Sequence, residues 1–137
     1  MTLINNKIHF ILLAAGNSTR FSKKDNKLLS KLNNKTLLEQ NIDFILKQNF
    51  KKLTVVVDRK TKIKHKLKDL EIIKGGSTRQ ESVVNALTKS KYNGSYVIIH
   101  DCARPLFFNQ LIKRIVRFIK TDKFDCIVPY SECSDTA

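Results

Sequence analysis

Short apolar or β-branched runs alternate with segments of helical spacing along nearly the whole chain, and this alternation narrows the possible folds more than any other feature of the sequence. The runs are KIHFILLA (7–14), LTVVV (53–57), EII (71–73), YVIIH (96–100) and CIVP (126–129), each of strand length. Between the first two, TLLEQNIDFILKQ places Leu38, Ile42, Ile45 and Leu46 on one helical face, and Thr36 with Glu39 makes a capping box. STRQESVVNALTKS opens on Ser77 and Thr78, either able to cap, and its spacing is expected to turn Val83, Val84 and Leu87 inward. NQLIKRIVRFIK carries an apolar stripe of Leu111, Ile112, Ile115, Val116 and Ile119 behind a candidate Asn109 cap. In KTKIKHKLKDL (60–70) the lysines alternate as in a strand while Ile63, Leu67 and Leu70 fit a helix, and the need for a crossover there favours the helix. Strand, helix, strand in regular succession, with near-continuous apolar strands, indicates an α/β fold: a mostly parallel sheet with helices on both faces. Ligands in such a fold sit at the carboxyl ends of the strands. The last run leads only into YSECSDTA, with no covering helix, so residues 1–137 read as the N-terminal part of a single domain, truncated at the C-terminus.

Composition limits the remaining choices. A chain of 137 residues with 42% hydrophobic content supports one core rather than two. Twenty lysines and six arginines against 12 acidic residues give a net charge of +14. Such a field attracts polyanions without saying which, and a lysine-rich solvated surface accounts for most of it. Cys102, Cys126 and Cys133 are odd in number and lack CxxC spacing, which argues against a disulfide framework or a zinc site and for a reducing cytoplasm. The run from Ile8 to Ala15 is too short to span a bilayer and contains His9, so no membrane association is expected.

Three loops follow the strands. The first, LAAGNSTRFSKKDNK, has neither the GxGxxG of a dinucleotide turn nor the GxxxxGK of a Walker loop. Ala14, Ala15 and Gly16 form a small-residue turn through which backbone N–H groups can approach an anion, followed by Arg20, a forked donor for phosphate oxygens, and Lys27, a point charge. The second, KGGSTRQESV, offers Gly75 and Gly76 as a platform against which a flat base or sugar can lie. Its hydroxyls, Ser77, Thr78 and Ser82, can read a pyrimidine edge, although an ordinary strand-to-helix turn explains the same letters. In the third, IIHDCARPLF, Asp101 ends an apolar strand, where a carboxylate can hold Mg²⁺ against phosphate oxygens. Arg104 follows it. His100 points to the opposite strand face from Asp101, which makes its role structural, and Cys102 reads as a small packed residue rather than a nucleophile. The constellation suits transfer of a nucleotidyl group.

AAGxSxR with a downstream lysine, GGxxRxxSV and HDxARP, in this order, resemble the N-terminal portion of the 2-C-methyl-D-erythritol 4-phosphate cytidylyltransferase family, which in some bacteria is fused to a cyclodiphosphate synthase. The likeness runs from about Lys7 to Thr136. It implies a Rossmann-like nucleotidyltransferase fold and an enzyme that transfers CMP from CTP to a sugar-alcohol phosphate. By the same resemblance Ala14, Ala15 and Gly16 line the CTP site, and Arg20 and Lys27 contact its phosphates and stabilise the transition state. Gly76, Ser77 and Ser82 then recognise cytosine and ribose, Asp101 binds Mg²⁺, and Arg104 and Thr136 meet the acceptor. The family is homodimeric, with an arm from one subunit reaching its partner's site, and continues well beyond residue 137 into a lysine-bearing segment. Leu13, Ser18 and Cys102 depart from the residues usual in the family. A ribitol-5-phosphate cytidylyltransferase shares the CTP-side motifs and is the nearest alternative. A basic nucleic-acid-binding module ranks below both, because the chain has no Trp, no RNP-like aromatic motif, and most of its Phe and Tyr in or beside apolar runs.

Overall fold

A computed structural model describes residues 3–15, 31–32, 35–58, 70–104 and 109–130. The chain divides into two compact units, Met1–Phe107 and Phe108–Ala137.

In the first unit a 3-10 turn, Leu3–Lys7, leads into β1 (Ile8–Leu13). A small antiparallel pair, β2 (Lys31–Leu32) and β3 (Lys35–Thr36), precedes α1 (Leu37–Lys47), and then come β4 (Lys52–Val57), β5 (Leu70–Lys74), α2 (Arg79–Lys89) and β6 (Tyr96–Asp101). The main sheet has the order β5-β4-β1-β6 with every pairing parallel. Four of the five runs read as strands from the sequence are therefore strands, each within a residue or so of its expected limits. The β2–β3 pair has no counterpart in the sequence reading.

β1 lies at the centre and is buried along its whole length. That is why its sequence is a continuous apolar run instead of an alternation. Each of its fully buried aliphatic side chains contributes about 1.5–3 kcal/mol by leaving water. One face of the sheet presents Ile11, Leu13 and Val56, which pack with Ala86 of α2, flanked by Val83 and Ala15. On the other face Phe10 meets Phe50, just beyond α1, at a ring separation of 5.4 Å. α1 buries Leu38, Ile42 and Ile45 as its spacing requires, and its capping box is formed: Thr36 Oγ1 accepts the Glu39 N–H at 3.1 Å while the Thr36 N–H donates to Glu39 Oε2 at 3.3 Å.

α2 departs from expectation. Thr78 is its cap, but Val84 and Leu87 are 50% and 49% exposed, and the residues turned fully inward are Ser82 and Ala86. The helix lies close to the sheet through small side chains, which leaves its larger ones at the flank. β6 is the edge of the described sheet, and its Val97 and Ile99 are each 40% exposed.

At the opposite end of the sheet from the loops, a polar network joins four elements. His9 Nε2 donates to Thr54 Oγ1 at 2.7 Å, and Thr54 and Ser90 donate to Glu71 Oε1 at 2.9 and 2.5 Å. The Lys91 N–H donates to Glu71 Oε2 at 2.7 Å. Burial lowers the His9 pKa from its ordinary value, against the pull of Glu71 and with the help of Lys52. Because the folded state disfavours the protonated ring, the unfolded state binds more protons between the depressed folded value and about 6.5. Stability is therefore full above that range and falls as pH drops through it. Thermal unfolding between pH 7.5 and 5.5 should show this slope, and His9→Gln should reduce it; an unchanged slope in the variant contradicts the assignment.

The second unit contains α3 (Asn109–Thr121), whose Ile112 and Ile119 are buried and whose stripe is the one expected. Residues 126–129, expected as a strand, have no regular structure and belong to no ladder among the described residues. An apolar run becomes a strand only through a paired neighbour, and no described strand pairs with it. The phenyl ring of Phe118 on α3 meets Phe124 edge-on at 6.0 Å. Most of the segment 60–70, expected as a helix, lies outside the described residues; Leu70 begins β5 instead.

Candidate nucleotide site

After β1 the sheet grows outward through β4 and β5, and the chain then crosses back to lay β6 against the other side of β1. This reversal falls beside the carboxyl ends of β1 and β6, the position where open α/β sheets bind ligands. The Cys102 N–H donates to the Leu13 carbonyl at 2.8 Å, tying the two strand exits together.

The first and second loops touch through a glycine. Ala14 donates its N–H to the Val56 carbonyl at 2.7 Å, and Gly75 donates its N–H to the Val57 carbonyl at 2.8 Å, so both loops continue the ladder with β4. A Cβ at Gly75 would lie 2.5 Å from the Ala15 Cβ and 2.7 Å from Ser82 Oγ. Gly75 is thus a point of close approach between the described residues of the two loops, and that space is filled by Ala15 and Ser82. Ser82 is buried, and its Oγ accepts the Gly76 N–H at 3.1 Å. Ser77 is exposed and engaged locally: its N–H and its hydroxyl both donate to Glu81 Oε2 at 2.8 Å. These bonds hold the Glu81 carboxyl below its usual range, and with the Thr78 cap they fix the first turn of α2.

The second and third loops meet through a charge pair. Arg79, the first residue of α2, donates from Nε to Asp101 Oδ1 at 3.0 Å. Asp101 closes a turn in which its carbonyl accepts the Arg104 N–H at 3.0 Å. Below that turn, Asn41 Nδ2 on α1 donates to the Cys102 carbonyl at 3.1 Å, and His100 Nε2 donates to the Arg104 carbonyl. His100 is desolvated, which lowers its pKa, and its bond is to backbone, in keeping with a structural role. Burial pushes the Cys102 thiol up to about 12, so it stays protonated and unreactive. Iodoacetamide should label exposed Cys126 in the native protein and reach Cys102 only on unfolding; native labelling of Cys102 contradicts this.

Of the candidate residues, Ala14, Ala15, Gly76, Ser77, Ser82, Asp101 and Arg104 are therefore gathered at the carboxyl ends of β1, β5 and β6. Gly16, Arg20, Lys27 and Thr136 lie outside the described residues. Two residues given no role in the sequence reading turn out to shape the site. Arg79 stands inside the GGxxRxxSV motif, and Asn41 is a polar side chain on the otherwise apolar buried face of α1, which was its signal. Among the described residues no three His, Cys, Asp or Glu side chains converge as a metal cage. A single partly exposed carboxylate does suit Mg²⁺, which is commonly held by one or two carboxylates together with phosphate oxygens and water. No helix among the described residues is long and apolar enough to cross a membrane.

The family model for 2-C-methyl-D-erythritol 4-phosphate cytidylyltransferase matches residues 8–136. The chain is 39% identical over 132 residues to the bifunctional enzyme IspD/IspF of Pelagibacter ubique, covering 93% of this chain and 35% of that protein. The bifunctional enzyme of Campylobacter jejuni is 37% identical, with 95% and 34% covered. The solved bifunctional IspDF from Campylobacter jejuni superposes with a TM-score of 0.80 at 36% identity, over 96% of this chain and 35% of that one. The 2-C-methyl-D-erythritol 4-phosphate cytidylyltransferase of Francisella tularensis superposes at 0.63 and 25% identity, over 85% and 53%. The chain thus spans about a third of the length of the curated relatives it matches. On a match that takes in all the strands and loops described above, this chain belongs to the 2-C-methyl-D-erythritol 4-phosphate cytidylyltransferase family.

Proposed function

We propose that this chain forms the CTP-binding side of an enzyme that transfers CMP from CTP to 2-C-methyl-D-erythritol 4-phosphate, a step of isoprenoid precursor synthesis by the non-mevalonate route. A phosphate oxygen of the acceptor attacks the α-phosphorus of CTP in line. The bond from that phosphorus to the bridging oxygen breaks, and pyrophosphate leaves. Such transfers depend on positioning and charge neutralisation more than on covalent help from the protein. Ala14 lines the nucleotide site with its own N–H held by Val56, Ala15 and Gly16 bring backbone N–H groups to the nucleotide, Gly76, Ser77 and Ser82 shape the cytosine and ribose end, and Arg20 and Lys27 bind the triphosphate. Arg104 would bind the acceptor, and the family resemblance assigns the same role to Thr136. Asp101 would hold Mg²⁺, which when bound supplies positive charge to the phosphate oxygens. On this reading the enzyme would work in the cytoplasm as a homodimer on two small-molecule substrates, CTP and the acceptor phosphate, and not on nucleic acid or a membrane.

The observation that carries this reading is the contact between loops: Gly75 joins Ala15 to Ser82, and Arg79 joins α2 to Asp101, all at the reversal of strand order. Supplying CTP and Mg²⁺ with either methylerythritol phosphate or ribitol 5-phosphate, and following pyrophosphate release, tests it. Turnover with the first acceptor is expected. Turnover with ribitol 5-phosphate alone would move the assignment to that cytidylyltransferase, and salt-sensitive binding of RNA or DNA without turnover of either acceptor would favour the nucleic-acid reading.

A further inference from the structure

We infer that Arg79 is a positioning residue that aims the Asp101 carboxylate for the divalent cation, an inference that rests on the metal role proposed above for Asp101. The pair spans 22 residues of sequence and joins the first residue of α2 to the last residue of β6 through one bond of 3.0 Å from Nε to Oδ1. Its two side chains are 62% and 31% exposed. A pair so open to water contributes little to the stability of the fold, so stability does not account for it.

What the pair does provide is direction. A carboxylate at the end of a strand turns freely about its terminal bond unless something holds one oxygen. Here Nε holds Oδ1, which sets the plane of the group and leaves Oδ2 to be offered to a cation. Both ends of the bond rest on fixed backbone. On the α2 side, Thr78 Oγ1 accepts the Glu81 N–H at 3.1 Å and Glu81 in turn binds the Ser77 N–H. On the β6 side, the Cys102 N–H is bound by Leu13 and the Cys102 carbonyl by Asn41. Arg79 therefore transmits the position of the glycine loop to the metal carboxylate. A hydrogen-bond partner standing behind a metal ligand typically governs metal affinity by roughly ten- to a hundredfold.

The test measures Mn²⁺ binding by water-proton relaxation, with and without CTP, in the wild-type protein and in Arg79→Gln, Arg79→Lys and Asp101→Asn. Arg79→Gln should weaken Mn²⁺ in the presence of CTP by about tenfold. Its metal-free CTP affinity and thermal midpoint should not change, and Arg79→Lys should recover part of the loss. In turnover, the Arg79→Gln defect should shrink as Mn²⁺ is raised, a pattern that a merely structural lesion would not give. Wild-type or tighter Mn²⁺ affinity in Arg79→Gln, alongside a loss in Asp101→Asn, overturns the inference and leaves the proposed function standing. Equal weakening of metal-free CTP binding also overturns it, since Arg79 would then act on the nucleotide. Unchanged Mn²⁺ affinity in Asp101→Asn removes the metal role of Asp101 and the inference with it.

Discussion

Arg20→Ala and Lys27→Ala are each expected to lower kcat/KM for CTP by two to three orders of magnitude, or about 3 kcal/mol of transition-state stabilisation, by analogy with removing one preorganised donor from a site where charge develops. The reason lies in the reaction. Negative charge on the triphosphate must move onto departing pyrophosphate, and cations fixed beside it need not reorganise as it does so. The two residues should not be interchangeable: a guanidinium binds two phosphate oxygens at once, whereas an ammonium acts as a point charge. Arg20→Lys should therefore recover only part of the loss. Steady-state kinetics with saturating acceptor measure the effect, and near-normal turnover in either alanine variant would refute these roles.

Gly75→Ala is the second substitution expected to act strongly. A methyl group there would stand 2.5 Å from the Ala15 Cβ and 2.7 Å from Ser82 Oγ. Both distances are far inside van der Waals contact. Neither neighbour can yield easily, because Ala15 lies at the exit of buried β1 and Ser82 is itself buried and bonded to the Gly76 N–H. Overpacking of this kind costs about 1–3 kcal/mol. Denaturant unfolding should show that loss, and CTP affinity should drop with it because the clash separates the two loops. A variant as stable as the wild type, with unchanged CTP binding, would mean that the loops do not meet as described.

The strand exits and helix starts that carry the candidate residues were legible in the sequence because their residues are those that strand ends and helix caps require, whereas Arg20 and Lys27 lie outside the described residues. β1 was readable as a continuous apolar run since it is buried on both faces, and the Thr36–Glu39 cap was readable because two side chains at fixed spacing satisfy each other locally. What failed depended on neighbours. Val84 and Leu87 fit an inward stripe by period, yet the helix approaches the sheet through Ser82 and Ala86, a choice set by the small residues at Gly75 and Ala15 and not by hydrophobicity. Residues 126–129 have strand composition but no partner among the described residues. Arg79 stood in a quoted motif, but its bond to Asp101 depends on where β6 comes to lie beside β1, which no local pattern encodes. Gly75 was read with Gly76 as a platform for a base or sugar, and its close contact with Ala15 and Ser82 on the Cβ side was not legible.

Following backbone amide resonances while CTP and Mg²⁺ are added is the most direct test that the three loops serve one ligand. The amides of Ala14 to Arg20, Gly75 to Ser77 and Asp101 to Arg104 should move together along one saturable curve of one nucleotide per chain, and Asp101→Asn should abolish its Mg²⁺ dependence. Movement of one loop alone, separate curves for different loops, or no saturable change would contradict the shared cleft on which the proposed chemistry depends.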